Sequence, residues 1–443
     1  MLGVVKLPAA PPSEDLILND PDRLVAAVRS VNVATDPYLP WDQLRFRPAP
    51  SGLTPAQWWA ATSILRRAQS RPLPLKDLAG HPFRYALPDE VLRLADKVSV
   101  RAGGNIDIAE PVTDPATRDT YVVRSLMEES ITSSQLEGAA TTRQVAKAML
   151  RSGRDPRDKG ERMIWNNYHA MHFVRDHRND PLTPELVLEL HEIVTSGTLD
   201  DPADGGRLQG PKDQRVRVVS SEGDILHTPP PAAELDDRLV SLCAFANAPD
   251  ETGTWLHPVL RAIAVHFMVG HDHYFVDGNG RLARALFYWC MLQRGLWLTE
   301  FVTISAILRQ APVQYANAYL HTEAESDLTY FLIHQLRVID RALDDLEAYL
   351  AHKVQERHSL RVLLAGRTKD FNHRQLALLN LSLTDPSAEF TAVSHASSHD
   401  VTGETARNDL LDLEQRGVLV RSKRGRQHVW RPAPDIQLVL GRR

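Results

Sequence analysis

Apolar residues recur at three- and four-residue spacing through most of the middle of the chain. Between about residues 118 and 350 the pattern runs through "RDTYVVRSLMEES", "PELVLELHEIVTSG", "AAELDDRLVSLCAFAN", "HPVLRAIAVHFMVG" and "LTYFLIHQLRVIDRALDDLEAYLAHKV". Each is predicted to be a helix with a buried face. "QRVRVVSSEGDILHTPPP" departs from it: two short strand-like runs flank a Ser-Glu-Gly turn, and three prolines end them. An isolated hairpin on a helical body is expected there. Residues 1 to about 110 are rich in proline and loops, with one predicted helix at "TPAQWWAATSILRRAQ", capped by Thr54 with Pro55 in its first turn.

After residue 360 the pattern shortens. "NHRQLALLNLSL", "FTAVSHASS" and "TGETARNDLLDLEQRG" are three predicted helices, the last capped by Thr402 and ended by Gly417. "VLVRSKRGRQHVWRP" then places two strand-like runs around a basic glycine turn. Three helices and a basic hairpin describe a winged helix-turn-helix. The expected organisation is therefore mainly α, in three parts: a helical and loop region at 1–115, a helical body at 116–350, and a winged-helix domain at 360–443.

Composition narrows the class without naming a function. The 443 residues are 43% hydrophobic and 24% charged, as in globular domains, and a net charge of −5 gives no global pull toward nucleic acid or membrane. Cys243 and Cys290 lie in apolar helical surroundings, which points to buried free thiols and a reducing compartment. The start "MLGVVKLPAAPPSEDL" is a poor signal peptide and no apolar run is long enough to span a bilayer, so a cytoplasmic protein without a membrane partner is expected.

The densest chemistry lies in "VHFMVGHDHYFVDGNGRLARALFYWCML", residues 265–292. One reading is a metal site from His266, His271, Asp272, His273 and Asp277; against it, His271 and His273 would not share a helical face, and the "GNGR" that follows has no part in it. The other reading is a phosphate cradle. Gly278 and Gly280 around Asn279 let successive N–H groups line a concave nest, and the next helix adds its N-terminal donors. Arg281 and Arg284 can clamp phosphate oxygens. Asp277 would repel phosphate unless a divalent cation such as Mg²⁺ lies between them. His273, neutral near pH 7, suits a general base.

This stretch resembles the signature of Fic-domain proteins, HxFx(D/E)GNGRxxR, with Tyr274 where a proline is common. The likeness extends over roughly residues 120–345 through "HPVLRAIAVHF", "ILHTPPP" and "DLTYFLIHQL". It implies a Fic helical bundle with a β-hairpin flap, and transfer of AMP from ATP, with Mg²⁺, to a Ser, Thr or Tyr hydroxyl of a target protein. His273 would be the base, Asp277 the metal ligand, and Gly278, Asn279, Gly280, Arg281 and Arg284 the nucleotide-binding residues. The hairpin at about 215–228 resembles the flap whose edge pairs with the target; self-modification is also implied. Ser133-x-x-x-Glu137-Gly138, in a helix at about 120–140, matches the family's inhibitory pattern: Glu137 would pair with Arg284 where the γ-phosphate is clamped. In some members that glutamate also serves removal of AMP. Transfer of UMP, phosphate or phosphocholine on the same loop is not distinguished by these residues.

The winged helix has two readings. As a DNA reader its third helix would enter the groove, with Arg421, Lys423, Arg424 and Arg426 on the wing against phosphate. Glu404, Asp409, Asp412 and Glu414, against Arg407 and Arg416, weaken that reading, and a protein-docking module or a plain solvated turn is the alternative. A second function for the whole chain follows: a DNA-binding regulator whose Fic core senses nucleotide.

Overall fold

Helices dominate the described residues, as the apolar spacing predicts. The computed structural model describes residues 5–50, 52–104, 115–219, 222–249, 255–365, 370–384, 388–399, 401–424 and 427–441. Two units, Met1–Glu347 and Ala348–Arg443, are compact in themselves.

In the first unit, short helices α1 (Asp15–Leu18), α2 (Pro21–Arg29) and α3 (Trp41–Leu44) precede α4 (Pro55–Gln69), where Thr54 and Gln57 form a capping box. The proline-rich segment that follows is not loop but a hairpin, β1 (Arg71–Lys76) paired antiparallel with β2 (Pro82–Tyr85). A two-stranded ribbon has only edge strands, so Pro72 and Pro74 are tolerated there. Helix α5 (Asp89–Ala102) also lies in this region, burying Val91, Leu94, Ala95 and Val98 at helical spacing. These residues belong to the same compact unit as the helical body. Phe83 packs edge-on against Phe267 with ring centroids 5.2 Å apart, and the Ala86 N–H donates to Thr329 at 2.8 Å.

The body comprises α6 (Pro115–Leu136), α7 (Arg143–Ser152), α8 (Lys159–Asp176), α9 (Pro184–Thr195), α10 (Leu235–Asn247), α11 (Pro258–Asp272), α12 (Asn279–Gln293), α13 (Ile304–Gln310), α14 (Pro312–Glu325) and α15 (Thr329–Ala365). Helix α11 starts where His257 accepts from the Val259 N–H with Pro258 in the first turn, and apart from Pro258 and Gly270 its residues are buried. A helix apolar on all sides belongs at the centre of a bundle. It packs along α12, which is just as deeply buried and carries Phe287, Tyr288 and Trp289 inward. The expected hairpin is there as β3 (Val218–Val219) antiparallel to β4 (Ile225–His227); Ser220 and Ser221 lie outside the described residues. Cys243 and Cys290 are buried and free, and burial pushes both thiols up to about 12. Among the described residues no helix is long and apolar enough to cross a membrane.

In the second unit α16 (His373–Thr384), α17 (Ala392–His399) and α18 (Gly403–Gln415) precede β5 (Leu419–Arg424), β6 (Gln427–Pro432) and a short α19 (Ile436–Gly441). Phe390 exchanges backbone hydrogen bonds of 2.8 and 2.9 Å with Trp430, adding a bridge to the wing. Leu379, Leu410, Leu413, Val418 and Trp430 make its core. Three of the acids of α18 are paired within the unit. Asp409 is buried against Arg374, Asn372 and His395, Asp412 accepts from Gln375 and Arg416, and Glu414 accepts from the Trp430 indole. Arg426 lies outside the described residues.

Candidate active site

The loop from α11 to α12 turns on His273, whose φ of 51° and ψ of 56° put a non-glycine residue in the left-handed region. Such a conformation costs on the order of 1–2 kcal/mol, and its surroundings hold it. The His273 N–H donates to the Val269 carbonyl at 3.1 Å. Arg215, at the foot of the flap, donates to the carbonyls of Asp272 (2.7 Å) and His273 (3.0 Å) while its Nε reaches the Pro230 carbonyl. A cation at the carbonyl end of a helix is well placed for the helix dipole. Behind the loop, the Asp272 carboxylate is buried between Arg238 (3.0 Å) and the Tyr274 hydroxyl, which donates at 2.7 Å. Tyr274 stands where the resembled signature commonly has proline, and here its hydroxyl helps satisfy a buried acid.

The His273 ring has a defined tautomer. Its Nδ1 lies 3.2 Å from the Gly270 carbonyl, which only accepts, so Nδ1 carries the proton and Nε2 presents the lone pair. Burial lowers its pKa below the ordinary histidine value, aided by His227 and Arg215 and opposed by the Gly270 bond. The ring is therefore a neutral base at pH 7.

Asn279 shapes the loop from within: its Oδ1 accepts from the Phe275 N–H (3.0 Å) and its Nδ2 donates to the Phe275 carbonyl (2.7 Å). Phe275 in turn stacks on His191 of α9, with centroids 3.6 Å apart and planes 11° from parallel. His191 was not legible as functional, being a lone histidine in an apolar helix. It takes the Gly206 N–H on Nδ1 (3.0 Å) and so donates from Nε2 to the Asp277 carbonyl (2.8 Å). Burial pushes its pKa down to about 4.

A pH dependence of stability follows. Unfolded, this histidine protonates near about 6.5; folded, it stays neutral to about 4. Its contribution is fully present above the unfolded value and is lost as pH falls through the folded one, worth up to about 3 kcal/mol. His334, also pushed down to about 4 by burial, acts in the same sense. Thermal unfolding followed from pH 7 to pH 4 is expected to show a steady fall in midpoint, less steep in His191→Phe; an unchanged slope in that variant would contradict the assignment.

The anion cradle sits at the start of α12. Gly278 takes φ 85° and provides no side-chain cap, and a Cβ there would lie 2.7 Å from Thr195 Cγ2. A Cβ on Gly280 would collide with the Glu137 carboxylate, so that carboxylate rests against the helix start. Arg281 is wholly buried; it donates to the Val194 carbonyl at 2.8 Å, but its Nε and Nη2 have no hydrogen-bond partner. Its nearest acid is Asp277, 3.7 Å away, whose side chain is half exposed and whose Oδ1 accepts from the Gly278 N–H. Buried guanidinium donors without partners are expensive, and an anion at the cradle would satisfy them.

Arg284 is satisfied differently. It is 1% exposed, donates from Nε to Ser133 Oγ (2.8 Å), and donates from Nη2 to the Ser133 carbonyl (3.1 Å) and Glu137 Oε1 (2.8 Å). Helix α6 delivers these partners through its ending. The N–H groups of Gly138 and Ala139 bond back to the carbonyls of Gln135 and Ser134, with Gly138 at φ 94°. This Schellman ending leaves Glu137 at the cap, facing α12. A cavity of about 600 Å³ opens beside it, lined by Glu137, Gly138, Thr141, Thr142, Lys159 and Asp277.

The histidine-rich metal reading does not assemble. His266 is core, with its Nε2 2.8 Å from the Tyr315 hydroxyl, and His273 is turned to Gly270. Among the described residues the three-donor group is His227, His271 and Glu323, which excludes Asp277.

Residues 181–291 match the Fic/DOC family model. The protein adenylyltransferase Fic of Culex quinquefasciatus is 28% identical over 167 residues, 38% of this chain and 29% of that protein. The protein of that name from Drosophila grimshawi is 31% identical over 114 residues, 26% of this chain and 21% of the other. The chain thus spans less than a third of the length of these relatives. A Fic family protein of Desulfovibrio desulfuricans shares the fold, with a TM-score of 0.52 at 16% identity over 79% of this chain and 98% of that one.

Proposed function

Because this chain carries a Fic domain, we propose that it is a nucleotidyltransferase that moves AMP from ATP to a Ser, Thr or Tyr hydroxyl of a protein, and that Glu137 restrains it. The observation that carries the reading is Arg281, buried at the start of α12 with two unsatisfied donors, one loop away from a neutral His273. The triphosphate would lie over Gly278–Gly280, held by Arg281 and, once Glu137 withdraws, by Arg284. His273 Nε2 takes the hydroxyl proton. The hydroxyl oxygen bonds to the α-phosphorus as the α–β bridging bond breaks and pyrophosphate leaves. Charge on the α-phosphoryl oxygens meets the N–H groups of the helix start.

Mg²⁺ fits this donor set, since a single half-exposed carboxylate, Asp277, beside phosphate oxygens is its usual arrangement. Bound there, the ion neutralises phosphate charge. The flap suits an extended target segment: Val218, Val219 and Ile225 are exposed on a two-stranded ribbon whose outer edges are free to pair. The Glu137 carboxylate, which rests against Gly280, would orient a water for removal of AMP.

Incubating Glu137→Gly with Mg²⁺ and ATP labelled at the α or at the γ phosphate tests the donor group. Label is expected to enter protein from α-labelled ATP and not from γ-labelled ATP; incorporation of the γ label would replace the reading with phosphoryl transfer.

A second reading, DNA binding by the second unit, gains from the internal pairing of Asp409, Asp412 and Glu414. Asp409 pairs with Arg374, Asp412 with Arg416 and Glu414 with Arg421 of the wing, while Arg407 on α18 and Lys423 on the wing are left exposed. A mobility shift with duplex DNA that weakens steeply with salt would support it, and no shift at low salt would remove it.

A further inference from the structure

We propose that His227 of the flap, His271 of α11 and Glu323 of α14 form a Zn²⁺ site distinct from the nucleotide cradle. The argument starts from proton positions. His227 Nε2 lies 2.8 Å from the His271 carbonyl oxygen, which only accepts, so Nε2 carries the ring proton. In the neutral ring Nδ1 is then a lone pair, yet it lies 2.9 Å from Glu323 Oε1, another acceptor. Something must sit between them: a proton, on the ring or on the carboxyl, or a metal ion. A proton on either would need hydrogen-bond alignment between the two, and His227 Nδ1 is buried without such a bond. A metal needs no such alignment, because each ligand points to a shared centre rather than at its neighbour.

The third donor completes the group. His271 Nδ1 lies 3.0 Å from the same Glu323 oxygen, and the three ligand atoms are all within 4.8 Å of one another. Tetrahedral zinc, with bonds of about 2.0–2.1 Å, sets its ligand atoms about 3.3 Å apart, so the two nitrogen–oxygen separations need open by only a few tenths of an ångström to admit the ion. The residues are deep, His271 at 1% and His227 at 7% exposure, while the Glu323 side chain keeps 18%, enough for a solvent ligand in the fourth position. Two imidazoles and a carboxylate favour zinc over Mg²⁺, which prefers oxygen alone. The bond from His227 Nε2 to a backbone carbonyl is the outer contact that orients metal-bound imidazoles. Phe83 and Phe267 enclose the His271 ring, with centroids 5.1 and 5.6 Å away.

The ion would tie flap strand β4 to the end of the helix that presents His273, whose ring centroid is 6.4 Å from that of His227. Occupancy would then set the order of the flap.

The test uses the untagged full-length chain, stripped with a chelator, offered one equivalent of Zn²⁺ without nucleotide, desalted, and assayed for metal by mass spectrometry. Wild type and Asp277→Ala are expected to retain about one zinc per chain, whereas His227→Asn and Glu323→Gln lose at least about tenfold. Co²⁺ in place of Zn²⁺ should give the visible absorption of a tetrahedral ion in wild type alone of the three ligand-set proteins. Retention below a tenth of an equivalent by wild type would overturn the site, and so would zinc kept by His227→Asn or lost with Asp277→Ala. Wild-type stoichiometry decides the matter even where a variant fails to fold.

Discussion

Glu137→Gly is expected to bind ATP roughly 10- to 100-fold more tightly than wild type and to begin modifying itself. The Glu137–Arg284 contact is a 2.8 Å charge-assisted bond to a guanidinium that is 1% exposed. Bonds of that kind contribute about 1.5–3 kcal/mol net, and each 1.4 kcal/mol is a factor of about ten in affinity. On the proposed reading, nucleotide would have to displace this contact to reach Arg284, and wild-type affinity would be lowered by the fraction of molecules in which the carboxylate is in place. Removing the side chain also clears the space against Gly280 that the carboxylate now fills. Glu137→Gln, which keeps the shape but loses the charge, should fall between the two. Calorimetric titration with Mg²⁺ and ATP reads the series, and equal affinities across it would end the inhibitory role.

His273→Ala is expected to lower AMP transfer by about 10²- to 10⁴-fold, the usual worth of a positioned general base, while ATP affinity changes by less than about threefold. The separation follows from geometry. On the proposed reading phosphate recognition would rest on the α12 start and Arg281, whereas His273 offers only its Nε2, since Nδ1 is committed to Gly270. Because burial depresses its pKa, the acid limb of kcat/KM in Glu137→Gly should fall below the range of an ordinary histidine. Loss of nucleotide affinity in His273→Ala would assign the ring to binding instead.

What the sequence made legible is local. A dozen consecutive residues carry the candidate base, nest and arginines, and Ser133 and Glu137 lie four apart at one helix end, so short-range spacing brings them to notice. What it hid depends on long-range contact. His191 reaches the Asp277 carbonyl across 86 positions, Arg215 the Asp272 carbonyl across 57, and Arg238 the Asp272 carboxylate across 34. A lone histidine or arginine in a helix or loop carries no periodic mark of such a partner. The proline-bearing strand at 71–76 looks like loop in the sequence because proline counts against a strand, yet that rule binds only where both edges are paired. On α18 the acids suggested repulsion from DNA, but charge counted along a chain ignores the arginine, histidine and indole that meet it in three dimensions.

The restrained-transferase account meets its most direct test in the intact mass of three proteins incubated with Mg²⁺ and ATP: wild type, Glu137→Gly, and Glu137→Gly with His273→Ala. The expected result is one or more added AMP units in Glu137→Gly, few or none in wild type, and none in the double variant. AMP gained equally by wild type and Glu137→Gly, or surviving the loss of His273, would contradict it.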